Sequence, residues 1–177
     1  MRDIIETDRL VLRQTEQRDA KAISVLGSDF DIARMTGSFP YPFPLLSAEF
    51  KIITFHAAKR RSLAHPYAIT LKGDDTLIGV TDLFKREETA LWEVGYWIGR
   101  PFWGKGFMTE ACAALLAEAD ATLSVADRVA GVFIDNPGSA RVLEKLGFKR
   151  SGQLEPYFSM ARLKKASSQD YILKAAS

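Results

Sequence analysis

The chain has 177 residues, 47% of them hydrophobic, with 24 Lys and Arg against 22 Asp and Glu and a formal charge of +2. That composition fits one globular domain, 1–177, with a substantial core, and it excludes both a disordered chain and the overall basic footprint that concentrates a protein on nucleic acid. The one cysteine, Cys112, excludes an internal disulfide, and with His56 and His65 as the only imidazoles no metal-ligand spacing can be assembled, so no metal is expected.

In chain order, "MRDIIETDRL" alternates charged and apolar side chains, unlike the apolar run of a secretory leader. No later stretch reaches membrane-spanning length, so a cytoplasmic protein without a membrane partner is expected. "RLVLR" alternates as a strand does. "TEQRDAKAISVLG" then reads as a helix, with Thr15 as N-cap, Ala22, Ile23 and Leu26 on one face and Gly27 as its stop. In "GSFPYPFPLL" prolines among aromatic residues block regular structure until Ser47 caps a second helix, "AEFKIITFHAAKRR". From Ala64, "HPYAITL", "TLIGVTDLF" and "ALWEVGYWI" are strands joined by the polar turns "KGDD" and "KREE", an antiparallel meander.

Next comes "GRPFWGKGFMTEA", Gly99 to Ala111, opening a helix whose Met108, Ala111, Cys112, Leu115 and Leu116 recur at i, i+3, i+4, i+7 and i+8. "RVAGVFI" is a short apolar strand. "DNPGSARVLEKLGF" is a helix with Asn136 as cap, Pro137 at its first position, and Gly147 as a left-handed terminator that lets Phe148 pack back on Leu143. "SSQDYILKA" reads as a last strand.

The glycine stretch nearly satisfies the nucleotide-binding pattern G-x-x-x-x-G-K-[ST], but Gly106 stands where a hydroxyl should ligate magnesium. A shorter reading keeps Gly104, Lys105 and Gly106 as a strand-to-helix turn whose amides face outward at a helix N-terminus, a pyrophosphate site that needs no metal. Each amide donated to a charged oxygen contributes roughly 1.5–3 kcal/mol. The competing reading is a plain corner.

In their order and spacing, "TDRLVLR", "FPYPFP", "EVGYWIGRPFWGKGFMTEA" and "NPGSARVLEKLGF" resemble the GNAT superfamily of N-acetyltransferases, and within it the RimJ/RimL branch that acetylates protein N-termini and related amines. The resemblance spans nearly the whole chain. It implies a mixed α+β acyl-CoA N-acyltransferase fold, with a mostly antiparallel twisted sheet of six to seven strands flanked by about four helices. It also implies that backbone groups of Trp103, Gly104, Lys105, Gly106, Phe107 and Met108 bind the pyrophosphate of acetyl-CoA, with Lys105 either a charge contact or a solvated side chain. The family's Q/R-x-x-G-x-G/A pattern starts here at Pro101, a departure that a backbone cradle tolerates.

By the same resemblance, "ALWEVGYWI" splays from "RVAGVFI" and leaves a wedge for the pantetheine arm. Tyr96, Trp97 and Ile98 would meet the cofactor there, with ordinary sheet packing as the competing reading for Trp92, Tyr96 and Trp97; Gly95 suits a bulge. Asn136 caps its helix and touches the cofactor. Glu93 is the candidate base, with an ion-paired strand carboxylate as the competing reading. Leu143 occupies the usual position of the acidic tyrosine, so Ser139 of "NPGS" is the substitute that the branch implies, unless it is a locally bonded helix-turn hydroxyl. Phe39, Tyr41 and Phe43 either line the acceptor pocket or staple the core beneath their loop, and Arg162 is expected to meet an acidic group on the acceptor. Cys112 reads as core.

The expected activity is direct transfer of acetyl from acetyl-CoA to a primary amine, foremost a protein or peptide N-terminal α-amine, by a monomer or homodimer. Rival readings are acetylation of a small-molecule amine (polyamine, amino acid or aminoglycoside), a non-catalytic acyl-CoA-binding module, and a metal-dependent nucleotide enzyme.

Overall fold

The computed structural model describes residues 1–86, 89, 91–123 and 127–175. Two strands rather than one open the chain: Ile4–Glu6 (β1) and Leu10–Arg13 (β2) pair antiparallel, and the Thr7 amide donates to the Leu10 carbonyl at the corner. β1 buries only Ile5, too little for an alternation to register in the sequence. Thr15 does not cap a helix. It is buried against His56, and Glu16 caps a 3-10 turn, Gln17–Asp19, that leads into Ala20–Gly27 (α1). The buried Asp19 carboxylate accepts two hydrogen bonds of 2.8 Å from the Arg13 guanidinium, so a charged pair holds the entry where a hydroxyl was expected.

The proline-rich loop contains a short helix, Phe30–Ala33 (α2), capped by Asp29. The next helix, Leu45–Arg60 (α3), starts after Pro44, with Ser47 inside it. Proline serves there because the first amides of a helix have no intrahelical acceptor in any case. The meander then forms as expected: Ala64–Leu71 (β3), Asp74–Lys85 (β4) and Trp92–Ile98 (β5) pair antiparallel in sequence order. Phe107–Thr122 (α4) crosses over to Arg128–Phe133 (β6), and Pro137–Lys145 (α5) follows. Gly147 has φ +87°, and the Phe148 amide returns to the Leu143 carbonyl at 3.0 Å, which buries both side chains and stops α5 as its sequence predicts. The chain ends in a hairpin, Lys149–Ser159 (β7) and Lys164–Leu173 (β8), of which only the second strand was legible: β7 is exposed up to Ser159 and carries no alternation.

The sheet runs β1-β2-β3-β4-β5-β6-β8-β7. Among the described residues it has eight strands with five α-helices around it, the mixed and mostly antiparallel class expected, enlarged by β1, β7 and α2. One face packs against α4 and α5 through Tyr67, Ile69, Leu83, Val94, Ala111, Leu115 and Leu143; the other packs against α1, α2 and α3 through Ala68, Val80, Ile23, Phe39 and Ile52. The single parallel contact, β5 with β6, holds only at Trp92 with Arg128 and Glu93 with Val129. Beyond Glu93 the two strands part, and among the described residues the β5 edge from Val94 to Ile98 has no paired strand on that side. No helix among the described residues is long and apolar enough to cross a membrane.

Candidate active site

The glycine stretch sits at the end of β5 and takes the form its composition calls for. Arg100–Phe102 makes a 3-10 turn, and the indole N–H of Trp103 donates to the Ile98 carbonyl at 2.8 Å. Gly104 and Gly106 have φ of +74° and +80°, a left-handed backbone that alanine adopts at a cost. Gly106 is the N-cap of α4, so the amides of Phe107, Met108 and Thr109 begin the helix without an acceptor one turn earlier. They face a surface where an added Cβ on Gly104 would meet nothing within 4 Å. Met108 itself turns inward and is buried against Cys112, while Phe107 is partly buried.

Two cations border this cradle. The Lys105 ammonium lies 5.8 Å from the Phe102 ring centroid and is otherwise solvated. Arg9, reaching across from the start of the chain, donates to the Lys105 carbonyl at 3.0 Å, pairs with Glu110 at 2.6 Å and covers the Phe107 ring at 4.7 Å. Sequence reasoning missed Arg9 because nothing local in "TDRL" shows that β2 starts beside the N-terminus of α4.

At the apex of the split stands Glu93, and its carboxylate is committed. It accepts from Arg86 Nε at 2.5 Å through one oxygen and from the Gly131 amide of β6 at 3.4 Å through the other, while Arg86 also pairs with Asp170 of β8 at 3.1 Å. The ion-paired reading of Glu93 describes this arrangement. Gly95 makes no bulge: it is in register with Asp82 of β4, and a Cβ built on it would lie 2.3 Å from Asp82 Oδ1. Glycine is required there by close approach, since the Asp82 carboxylate lies directly over the β5 backbone beside the split. Burial pushes the Asp82 carboxyl up to about 6, with the Lys51 ammonium opposing and the Glu93 charge adding to the rise.

On the opposite face of β5, the Tyr96 hydroxyl lies 2.8 Å from Ser139 Oγ and donates to the Ser139 carbonyl at 3.1 Å. This pair bridges β5 and the first turn of α5, the turn that Asn136 holds by accepting from the Ser139 amide at 3.1 Å. Burial keeps the Tyr96 phenol above its ordinary value, against the hydrogen bond to Ser139. Leu143, in the position of the missing tyrosine, is fully buried core. Cys112 is core too, and burial pushes its thiol up to about 12, which removes it as a nucleophile.

The remaining expected contacts divide between split and core. The Trp97 ring meets Phe39 edge-on at 5.4 Å and the Ile98 side chain is buried, so only their backbone borders the split. Phe39 and Phe43 stack at 4.5 Å and are each 3% exposed, which puts both in the core beneath the loop. Tyr41 alone of the three is exposed, edge-on to Phe30 at 4.9 Å. Arg162 is engaged internally, donating to the Arg34 carbonyl at 2.8 Å and to Asp135 at 2.9 Å. Together with Ser159 and the Met160 amide, which bond to Thr36 and Gly37, it fastens this loop to the β7–β8 turn.

A family model described as an acetyltransferase (GNAT) domain matches residues 9–149. The uncharacterized N-acetyltransferase YoaA of Bacillus subtilis (strain 168) is 32% identical over 157 residues, 87% of each chain. Two solved structures share the fold: RimL, a ribosomal L7/L12 alpha-N-protein acetyltransferase in complex with coenzyme A, with TM-score 0.82 and 17% identity over 97% of both chains, and the microcin C7 self-immunity acetyltransferase MccE in complex with acetyl-CoA and AMP, with TM-score 0.81 and 17% identity over 96% of this chain and 94% of that one.

Proposed function

The chain belongs to the GNAT family of acetyltransferases, and from that premise we propose that this N-acetyltransferase moves the acetyl group of acetyl-CoA directly onto the N-terminal α-amine of a protein or peptide. The observation that carries the reading is the pairing of a two-glycine cradle at the start of α4 with the parting of β5 from β6 next to it. The amides from Gly104 to Met108 suit a pyrophosphate, with Lys105 and the helix dipole adding charge attraction. The free β5 edge from Val94 to Ile98 offers its backbone to the amide groups of a pantetheine arm, as an exposed strand edge does to any extended partner. Acetyl-CoA would supply the activated acyl carbon; its thioester carbonyl needs donors such as the β5 amides, and its thiolate needs a proton.

The Ser139–Tyr96 pair is the acid in this proposal. Its hydroxyls lie on the α5 side of the split, and a phenol held above its ordinary value stays protonated at neutral pH. Glu93, locked to Arg86 and Gly131, acts on the geometry of the split. An α-amine suits a site whose apex carboxylate is so engaged. With a pKa of about 8 it is roughly one-tenth neutral at pH 7, whereas a lysine near 10.4 is neutral in about one molecule in a few thousand. RimL, which shares the fold, is an alpha-N-protein acetyltransferase, and this supports the same acceptor.

The test follows thiol release from acetyl-CoA over peptides with varied N-termini, the same peptides with blocked N-termini and an internal lysine, polyamines, amino acids and aminoglycosides, with mass spectrometry to place the acetyl group. Turnover confined to free N-terminal peptides is expected. Turnover confined to small amines, or none at all, would overturn the acceptor assignment.

A further inference from the structure

Resting on amine acetylation at this split, we infer that Asp82, rather than Glu93, takes the proton from the incoming amine. Both carboxylates project from the α1–α3 face of the sheet, one on each side of the Gly95 position. Glu93 has both oxygens engaged, one by the Arg86 guanidinium and the other by the Gly131 amide, so neither is turned to an incoming amine. Asp82 has no hydrogen-bond or ion-pair partner among the described residues, and the missing side chain of Gly95 brings its Oδ1 over the strand that borders the split.

The groups around Asp82 adjust its basicity from three sides. Lys51 faces it from α3, with its own ammonium disfavoured by burial and donating to Ser38 at 3.2 Å; Glu93 faces it from β5; and Cys112, neutral as a thiol, lies behind the sheet on α4. A carboxyl near 6 is closer to the working pH than an ordinary aspartate and correspondingly better as a base. From an α-ammonium near 8 the transfer is uphill by about two pK units, a hundredfold, and from a lysine near 10.4 by more than four, so this base reinforces the choice of an α-amine.

The protons balance as follows. The ammonium gives one proton to Asp82, and its lone pair forms the C–N bond as the C–S bond breaks. The nitrogen's second proton leaves through the Ser139–Tyr96 pair, which protonates the thiolate; Asp82 then returns its proton to water.

The experiment measures kcat, KM and the pH profile of Asp82→Asn, Gly95→Ala and Glu93→Gln with an N-terminal peptide found by the acceptor panel. Asp82→Asn should lower kcat about a hundredfold or more, leave the calorimetric affinity for coenzyme A within twofold, and abolish the acid limb near pH 6 of the native kcat/KM profile. Gly95→Ala keeps the carboxylate but displaces it and should lose kcat similarly. Glu93→Gln should slow turnover yet keep the limb, shifted below its native position because the Glu93 charge no longer raises Asp82. Native turnover and an unchanged limb in Asp82→Asn would overturn the role of Asp82 while leaving acetylation standing, as would loss of the limb in Glu93→Gln alone. A native protein that neither binds acetyl-CoA nor releases thiol with any amine would overturn the acetylation reading and this inference with it.

Discussion

Asp82→Asn should stabilise the protein while it disables it, and the gain should depend on pH in a calculable way. Burial raises the Asp82 carboxyl from 3.8 to about 6 on folding. Below about pH 3 the group is largely protonated in both folded and unfolded chains, so it adds little to the pH dependence of stability. As pH rises towards the folded value, the unfolded chain ionises first and native stability is lost. Two pK units and a fraction, at about 1.4 kcal/mol each, give a loss of about 1.5 kcal/mol at pH 5 and about 3 kcal/mol from pH 7 upward. Asparagine does not titrate, so its variant escapes this loss, less the cost of burying an amide. For a chain of this length about 3 kcal/mol corresponds to roughly 6–12 °C in Tm. Thermal unfolding of both proteins at pH 5 and pH 8 is the assay: the variant should gain several degrees more at pH 8 than at pH 5. A pH-independent offset, or a native protein more stable than the variant at pH 8, would refute the raised Asp82 carboxyl.

Gly106→Ala forces a left-handed residue with a Cβ at the N-cap of α4, costing about 1–2 kcal/mol of stability. It should weaken coenzyme A binding about tenfold by calorimetry, and unchanged affinity would remove the cradle from cofactor binding. Arg9→Ala frees the Lys105 carbonyl and Glu110 and should weaken the same binding by roughly threefold to tenfold, with kcat at saturating cofactor little changed, since an exposed hydrogen bond that only orders the cradle contributes about 0.5–1.5 kcal/mol net. Tyr96→Phe and Ser139→Ala should each lower kcat by roughly ten- to a hundredfold, and the double variant should be no slower than the slower single one, because the two hydroxyls act as a unit. Additive losses would show that they act separately.

The glycine cradle, the Asn136 cap, the Gly147 terminator and the three-strand meander were legible in the sequence because each depends on a few neighbouring residues: a positive φ, an orphan amide, a period of two or of 3.6. The parting of β5 from β6 was legible only through resemblance to a family. What the sequence could not carry were choices between equally local readings, such as Glu93 as free base or paired carboxylate, or Phe39 and Phe43 as pocket or core. Those depend on which side chains meet across the sheet. Arg86 follows the end of β4, whereas Glu93 lies in β5 and Asp170 in β8; Tyr96 and Ser139 are a strand and a helix apart; Arg9 reaches Lys105 from the far end of the chain. Asp82 shows the difference most clearly. In "TLIGVTDLF" it is one polar residue in an alternating strand, and only the register that sets it over Gly95, with no Cβ between, turns it into a carboxylate beside the split that has no partner among the described residues. The backbone pattern of a segment is decided by that segment, but the chemistry of a carboxylate is decided by its neighbours, and those are chosen by strand register and helix packing.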